Sequence, residues 1–199
     1  MDGLCRDSDC GLVVVISGPS GVGKTTITHA LIERFDAMFS VSATTRPKTD
    51  ADVEGKDYYF LSEEEFEKRL GEGEFLEYAK VFDHYYGTPR GPVIAARDAG
   101  RIVILEIDIQ GGLQIRESLA DAFMIFILPP SEEDLLERLR LRKRESEEVI
   151  MRRFREAQHE METAKSSNAY NVFIVNDDLE RAIAEAVEAV ENARRKQGG

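Results

Sequence analysis

The amino-acid sequence predicts an α/β fold in which helices flank a parallel sheet, with a small mixed β insertion and a helical lid. Unbroken runs of β-branched and apolar residues recur along the chain, as expected for strands that are buried on both faces. Longer amphipathic segments separate these runs, so that strands and helices alternate. One segment differs, because tyrosine-rich stretches alternate there with turn residues, which favours the short strands of a second sheet.

The first apolar run, GLVVVIS at 11–17, is predicted to be a buried strand that leads into a glycine-rich loop and a helix over about 24–34. Three later runs are predicted to join it in the parallel sheet: RIVILEID at 101–108, AFMIFIL at 122–128 and YNVFIV at 170–175. An amphipathic helix rich in alanine and glutamate is expected over 178–196.

The tyrosine-rich insertion is predicted over 41–90. Its strands are expected at 57–62, 74–82 and 84–89. A helix over about 63–70 interrupts them, with Ser62 as its expected N-cap and Glu65 three residues further on.

The remaining residues, 1–40 and 91–199, are assigned to the core, with 1–10 expected to be a flexible leader. A dense charged stretch, RLRLRKRESEE at 138–148, fits a solvent-facing lid of about 137–150 that joins two helices.

Composition narrows the possible partners. A formal charge of −12 argues against general nucleic-acid binding, which usually needs a basic surface. No run of about 18 uncharged apolar residues predicts a membrane span, and the polar, acidic start lacks the features of a secretory signal. Cys5 and Cys10 are expected to be free thiols rather than a metal or redox site. We therefore expect a cytoplasmic protein without nucleic-acid or membrane partners.

Residues 18–25, GPSGVGKT, match the G-x4-G-K-[ST] phosphate-binding motif completely. The motif lies between a predicted strand and a predicted helix, where backbone N–H groups and the helix N-terminus bind a polyphosphate. Lys24 is expected to contact the β- and γ-phosphates, and Thr25 a Mg²⁺ ion. A glycine-rich turn without a ligand is the alternative, and GTPases, ATPases and kinases all share the motif. The predicted ATP-binding residues of this loop are Gly18, Pro19, Ser20, Gly21, Val22, Gly23, Lys24, Thr25 and Thr26.

An ordered set of short motifs resembles guanylate kinase, a family of nucleoside monophosphate kinases, over nearly the entire chain. The motifs are GPSGVGKTT (18–26), VSATTRP (41–47), EGKDYYF (54–60), FLEYAKV (75–81), YYGTP (85–89), LEIDIQG (105–111), FILPPS (126–131), LLERL (135–139) and IVNDD (174–178). The resemblance implies a P-loop kinase core, a GMP-binding insertion and an arginine-bearing lid. It also implies in-line, Mg²⁺-assisted phosphorylation of GMP, and of dGMP, by ATP, in a monomer or homodimer with ATP and GMP as substrates.

The resemblance assigns the acceptor base to the insertion. Guanine presents two donors on one edge, its N1–H and its exocyclic amino group, and Glu77 stands at the family's guanine-reading position. A carboxylate can accept both donors, whereas adenine would leave it poorly paired at a cost of about 1–3 kcal/mol. The family's other base contacts match Ser42, Thr88 and Glu106. Taken singly, these residues could equally be a surface glutamate, ordinary strand hydroxyls and a strand-end acid.

The family's contacts to the GMP phosphate match Arg46, Tyr58 and Tyr86. An arginine offers a bidentate fork and the tyrosines offer neutral donors. Aromatic packing in a half-buried sheet is the alternative for the tyrosines. By strand alternation, Tyr59 and Tyr85 can take that packing role while Tyr58 and Tyr86 face the ligand.

One position departs from the family pattern T-T-R-x-x-R, because Thr49 stands where a second arginine is usual. Loss of one charge-assisted contact should cost about 1.5–3 kcal/mol of binding, which Lys48 can offset in part. We therefore expect activity with a weaker affinity for GMP than a two-arginine enzyme has. Asp52, where glutamate is more usual, is a milder change.

Three arginines match the family's residues that reach the ATP phosphates and the transferred group: Arg138, Arg142 and Arg153. Together with Lys24 and Arg46 they are the predicted catalytic residues, since phosphoryl transfer needs alignment and charge neutralisation. The alternative for an arginine in this stretch is a solvated helix face balanced by glutamates.

Two further residues have a functional and a structural interpretation. Asp108 ends a predicted strand opposite the phosphate loop, where an acid usually holds Mg²⁺ through water; the alternative is an N-cap of the next helix. Asn176 matches the family's adenine-side residue, and a turn at a strand end is its structural alternative.

Two other function classes share this scaffold. Guanylate kinase-like domains of scaffolding proteins bind phosphorylated peptides through the former GMP pocket, but they usually lack an intact phosphate loop, which Lys24 completes here. A kinase for another nucleotide or a sugar phosphate is disfavoured by Glu77.

Overall fold

The computed structural model describes residues 11–81, 83–141 and 146–197. In chain order, its elements are β1 (Leu12–Ser17), α1 (Lys24–Phe35), β2 (Met38–Phe39), β3 (Ala43–Thr44), β4 (Tyr59–Phe60), α2 (Glu63–Gly71), β5 (Phe75–Val81), β6 (His84–Pro89), α3 (Arg90–Asp98), β7 (Ile102–Glu106), α4 (Ile109–Ser118), β8 (Phe123–Leu128), α5 (Glu132–Leu141), α6 (Glu147–Ser166), β9 (Val172–Val175) and α7 (Leu179–Gln197).

The main sheet confirms the predicted α/β class. Over the described residues it has five parallel strands in the order β2–β7–β1–β8–β9. All six residues of the central strand β1 are buried, as its unbroken apolar run predicts. Strand β2 was not predicted, because a two-residue edge strand carries no recognisable pattern. It pairs with Val103 and Ile104 of β7.

Helices cover this sheet through apolar stripes. Helix α7 buries Ala182, Ala186 and Val190, a spacing of four residues that places them on one helix face. Helix α3 was not predicted, because its first turn contains Gly91 and Pro92. Proline is tolerated there since the first N–H groups of a helix have no intrahelical partner.

The insertion forms a separate four-stranded sheet in the order β4–β3–β6–β5. Strand β3 is parallel to β4 and antiparallel to β6, so the sheet is mixed, as predicted. Phe66 of α2 fills a small core, with its ring stacked 4.3 Å from that of Phe75 and 5.1 Å from that of Tyr85. Ser62 caps α2 as predicted, since its Oγ accepts from Glu65 N at 3.1 Å.

The whole of one predicted segment and part of another lie outside the described residues. The leader (1–10) is one, and the middle of the lid, which contains Arg142, is the other. On either side of that middle part, α5 ends at Leu141 and α6 begins at Glu147 after Ser146 as its N-cap. None of the helices that the structure describes is both long and apolar enough to cross a bilayer.

Candidate active site

The phosphate loop connects β1 to α1 and forms one wall of a pocket of about 410 Å³, the donor pocket. Lys24 lies over this loop, and its Nζ donates to the carbonyl oxygens of Gly18 at 2.5 Å and Pro19 at 3.0 Å. The residues that line the donor pocket are Gly18, Ser20, Gly21, Gly23, Lys24, Thr25, Thr26, Glu106, Asp108 and Glu160. Loop N–H groups, a helix N-terminus and an ammonium group together make an anion-binding site.

Asn176 fixes the loop from behind. Its side chain is 6% exposed, and its Nδ2 donates to the Val22 carbonyl at 2.7 Å. Gly23 leaves room for this amide: it has a φ of 94°, and a Cβ at that position would lie 2.5 Å from Asn176 Nδ2. Arg138 donates through Nη2 to the Asn176 carbonyl at 2.9 Å. The structure therefore places Arg138 beside the end of β9, not in the lining of the donor pocket.

Thr25 and two carboxylates face each other at the carboxyl end of β7. The Thr25 hydroxyl donates to Glu106 Oε1 at 2.8 Å. Asp108 Oδ1 accepts from Gly111 N at 2.9 Å, which confirms the N-cap alternative for this residue. Because Asp108 also lines the donor pocket and a carboxylate has two oxygens, capping leaves it able to contact a hydrated ion.

These residues fit Mg²⁺. The donors are hard oxygens, and the Thr25 proton is directed to Glu106, which leaves the hydroxyl lone pairs for a cation. Within the described ranges, no group of three or more acidic, histidine or cysteine side chains forms an all-protein metal cage. Mg²⁺ typically binds through one or two protein oxygens, water and substrate phosphates, so a sparse set is what it requires.

Helix α6 directs two charged residues at the donor pocket. Arg153 Nη2 donates to Ser20 Oγ in the phosphate loop at 2.5 Å. Glu160, seven residues later and on the same helix face, lines the pocket. Burial raises the pKa of Glu160 to about 7, although the nearby charge of Lys24 lowers it. Glu160 was not predicted from the sequence; its helical spacing from Arg153, with the buried Ala157 between them, is the signal that could have found it.

A second pocket of about 430 Å³, the acceptor pocket, lies between the insertion and the core. Its residues are Ser42, Tyr58, Glu77, Ala79, Val81, Tyr86, Glu106, Ile107 and Asp108. Glu77 is 7% exposed, so it is not a surface glutamate. Thr88 Oγ1 donates to Glu77 Oε1 at 2.6 Å. Burial raises the pKa of Glu77 to about 6, and the Thr88 hydrogen bond opposes that shift.

Arg46 is held beside this pocket by a carboxylate. Its Nη1 and Nη2 donate to Asp52 at 3.0 and 2.8 Å, and its Cζ lies 5.5 Å from the ring centres of both Tyr58 and Phe60. Thr49, the residue that departs from the family pattern, donates to Asp52 Oδ2 from its N and its Oγ1, both at 2.7 Å. Hydrogen bonds from Arg46 and Thr49 hold the pKa of Asp52 well below its usual range.

The two adjacent tyrosine pairs of the insertion, Tyr58–Tyr59 and Tyr85–Tyr86, divide differently from the simple alternation. Tyr58 and Tyr86 line the acceptor pocket, with their rings edge-to-face at 5.8 Å. Tyr85 packs against Phe66, as expected. Tyr59 is 38% exposed, so the packing role expected for it is wrong.

The chain is similar to known proteins over most of its length. The family model described as guanylate kinase matches residues 11–193. A guanylate kinase of Caldanaerobacter subterraneus subsp. tengcongensis is 50% identical over 174 residues, which cover 87% of this chain and 83% of the relative. One from Symbiobacterium thermophilum is 47% identical over 192 residues, or 95% of this chain and 90% of the relative. A crystal structure of guanylate kinase from Anaplasma phagocytophilum has a TM-score of 0.66 at 33% identity, covering 95% of this chain and 87% of that one.

Proposed function

The chain belongs to the guanylate kinase family, whose members phosphorylate GMP to GDP with ATP, and from that premise we propose which of its residues carry each part of the reaction. One observation supports the assignment above all. The donor and acceptor pockets share Glu106 and Asp108, so that two nucleotides bound in them would meet at these carboxylates. This is the arrangement that direct transfer between two phosphates needs.

We assign the ATP phosphates to the phosphate loop. Lys24 would turn from the carbonyls of Gly18 and Pro19 to the β- and γ-phosphates, while the loop N–H groups hold the polyphosphate. Arg153, already in contact with Ser20, would neutralise charge on the transferred group. Asn176 is proposed for the adenine side, because it lies where β9 meets the loop. Arg138, which donates to the Asn176 carbonyl, stays proposed for the ATP phosphates. Arg142 completes the proposed set from the sequence alone.

We assign GMP to the acceptor pocket. The Glu77 carboxylate would accept from guanine N1–H and the amino group, with Thr88 holding one of its oxygens and Ser42 and Glu106 beside the base. Arg46, Tyr58 and Tyr86 would hold the phosphate. In the transfer, an oxygen of the GMP phosphate forms a bond to the γ-phosphorus as the bond from that phosphorus to the β,γ-bridging oxygen breaks.

Mg²⁺ is the proposed cofactor, held by Thr25 directly and by Asp108 through water. The positive charge of the bound ion would offset negative charge that develops on the phosphates in the transition state. Glu106 would keep the Thr25 proton turned away from the ion. We also propose a closing motion in which insertion and lid cover the nucleotides and exclude water.

The experiment is a steady-state assay with Mg-ATP and GMP, dGMP, AMP, UMP or dTMP compared side by side. We expect GDP formation, with GMP preferred over AMP by about tenfold to several hundredfold. A phosphopeptide-binding module would show no turnover. A kinase for another acceptor would use a different base equally well or better, and either result would overturn the assignment.

A further inference from the structure

Helix α4 of the core presents three residues to strand β5 of the insertion. Ser118 Oγ donates to the Leu76 carbonyl at 2.8 Å. Gln114 Nε2 donates to the Tyr78 carbonyl at 2.8 Å, and its Oε1 accepts from Tyr78 N at 3.1 Å. Strand β5 is an edge strand of its sheet, so the Gln114 amide pairs with backbone groups as a neighbouring strand would. These bonds fix the backbone on both sides of Glu77.

The third residue, Gly111, faces the Glu77 side chain. A Cβ at Gly111 would lie 2.8 Å from Glu77 Oε2 and 3.2 Å from its Cδ, so only a residue without a side chain leaves the carboxylate in place. Thr88 donates to the other oxygen at 2.6 Å. The carboxylate therefore lies between a hydroxyl on one side and the surface of α4 on the other.

The pairing of β5 shows an independent irregularity at the same place. Its register with β6 shifts between Phe75 and Glu77, and three consecutive residues, Phe75, Leu76 and Glu77, are buried. A bulge of this kind redirects a side chain out of the simple alternation of a strand.

We infer that the α4 face formed by Gly111, Gln114 and Ser118 is a specificity determinant for the acceptor base, because it sets the position of the Glu77 carboxylate. The inference rests on the proposed role of Glu77 in reading guanine. Two donors on one base edge are accepted together only when both carboxylate oxygens lie within about 2.7–3.2 Å of them. The same helix is capped by Asp108, so one rigid element places the base-reading group relative to the carboxylates at the transfer site.

Gly111→Ala is the most direct test. Its new Cβ meets the far end of a flexible side chain, and alanine favours a helix, so the fold should persist while the carboxylate moves. We expect the KM for GMP to rise about 10- to 100-fold. The ratio of kcat/KM for GMP to that for IMP, which lacks the exocyclic amino group, should fall towards one. The KM for ATP should change by less than about twofold, since the donor pocket is not altered.

Gly91→Ala is the matched control, because it makes the same change in the first turn of α3, where a Cβ would meet no atom within 4 Å. It should leave both constants at their native values. Gln114→Leu tests the backbone contacts independently and should lower the GMP-to-IMP ratio in the same direction, also if Gly111→Ala fails to fold.

Glu77→Gln separates the two levels of the proposal. If that variant keeps the native GMP-to-IMP ratio, Glu77 does not read the base, and the proposed function of Glu77 fails together with this inference. If Glu77→Gln lowers the GMP-to-IMP ratio to about one while Gly111→Ala and Gln114→Leu keep the native ratio, the α4 face is only a structural junction. In that case this inference alone is wrong.

Discussion

Arg46 illustrates how much depends on individual donors and acceptors. A guanidinium has five N–H donors. In the described residues, two of these contact Asp52 and a third contacts the Pro47 carbonyl at 3.1 Å. The two that remain, on Nε and Nη2, lie on the same edge of the guanidinium and form a fork that matches two phosphate oxygens. The contacts with Asp52 therefore orient Arg46 and leave that edge available for the proposed GMP phosphate.

Thr49 supports this arrangement in a way that the sequence did not reveal. Its hydroxyl and its N–H both hold Asp52, so the residue that replaces the usual second arginine stabilises the carboxylate that orients the first. Thr49→Arg should therefore gain one phosphate contact while losing one of these two bonds. We expect the KM for GMP to fall by about tenfold, the smaller end of a charge-assisted contact.

Thr49→Val is the matched control for that prediction. It removes the hydroxyl without adding a charge, keeps the backbone bond to Asp52, and should raise the KM for GMP by a few-fold, about the effect of one hydrogen bond. Steady-state kinetics at saturating ATP measures both variants. An unchanged KM and turnover in Thr49→Arg would show that the second arginine is dispensable in this chain.

The buried carboxylate of Glu77 predicts a pH dependence. Burial raises its pKa to about 6, and only the ionised form accepts two donors from guanine. As the pH falls through about 6, the carboxylate gains a proton, so kcat/KM for GMP should decrease. The second phosphate pKa of a nucleotide is also about 6. On the acidic side, the slope of log(kcat/KM) against pH should therefore be greater by one in the native enzyme than in Glu77→Gln.

Melting temperatures distinguish a loss of activity caused by protonation of Glu77 from one caused by unfolding. In the folded chain, Glu77 holds its proton to a higher pH than in the unfolded chain, so its contribution to stability is lost as the pH rises through about 6. Glu77→Gln removes the buried charge, and its melting temperature at pH 8 should not be below that of the native protein. If kcat/KM for GMP depended on pH in the same way in both proteins, the decrease at low pH could not be assigned to Glu77.

At the scale of elements, the sequence predicts what has a long local pattern. The runs that form β1, β7 and β8 are buried on both faces, and each is recognisable from composition alone. The apolar run of β9 also forms a strand, but its predicted burial is wrong for Phe173 and Val175, which are 38% and 39% exposed on this edge of the sheet. Strands β2, β3 and β4 have two residues each, and their pairing depends on partners distant in the chain. Of the three, only β4 lies within a predicted strand, the tyrosine-rich segment at 57–62, whereas β2 and β3 have no local pattern that could specify them.

The candidate site shows the same division between local and distant information. Phosphate-loop residues are contiguous, and their geometry follows from a strand–loop–helix motif. Glu160, Asp52 and Gln114 act across the fold or through another side chain, so their roles become visible only when elements are packed together. A resemblance can point to the positions of a site, but the contacts that hold those positions have to be seen.

The two faces of helix α6 have opposite roles. Arg153 donates to Ser20 of the phosphate loop, whereas the adjacent Arg152 is about as exposed as its i,i+4 partner Glu156, at 60% and 63%. Arg153→Ala should lower kcat by about 10³-fold, as expected for an arginine that stabilises the charge of a transferred phosphoryl group, with a small change in the KM for GMP. Arg152→Ala removes the same charge from the solvent face and should change kcat by less than about twofold. Equal losses in both variants would indicate a general electrostatic effect instead of a directed contact.

At the scale of the whole molecule, a net charge of −12 coexists with sites for two anions. Local placement resolves this, since Lys24, Arg46 and Arg153 lie around the two pockets, while most of the acidic residues that the structure describes are exposed to solvent. A field set by a few directed cations favours phosphates at one position without making the surface basic.

The hydrogen bonds between the insertion and the core limit the proposed closing motion. Strand β5 is hydrogen-bonded to α4 of the core through Gln114 and Ser118, so this edge of the insertion should not separate from the core. The opposite edge, formed by β3 and β4 with the Arg46–Asp52 pair, has no comparable bonds to the core among the residues the structure describes. Closure should therefore be a rotation about the α4–β5 junction.

Distance measurements between spin or fluorescent labels can test this rotation. We expect the distance between labels at Val53 of the insertion, which is 52% exposed, and Glu156 of α6 to shorten when GMP and a non-hydrolysable ATP analogue are both bound. Labels at Tyr78 and Glu117, on the two sides of the junction, should keep their distance. The labels would be attached to cysteines introduced at these positions, after Cys5 and Cys10 have been replaced by serine, so that each protein carries only its two intended labels. A junction pair that moves as much as the outer pair would mean that the insertion shifts as a whole. An outer pair that keeps its distance with both nucleotides bound would mean that catalysis proceeds without closure. The pocket walls alone would then have to exclude water.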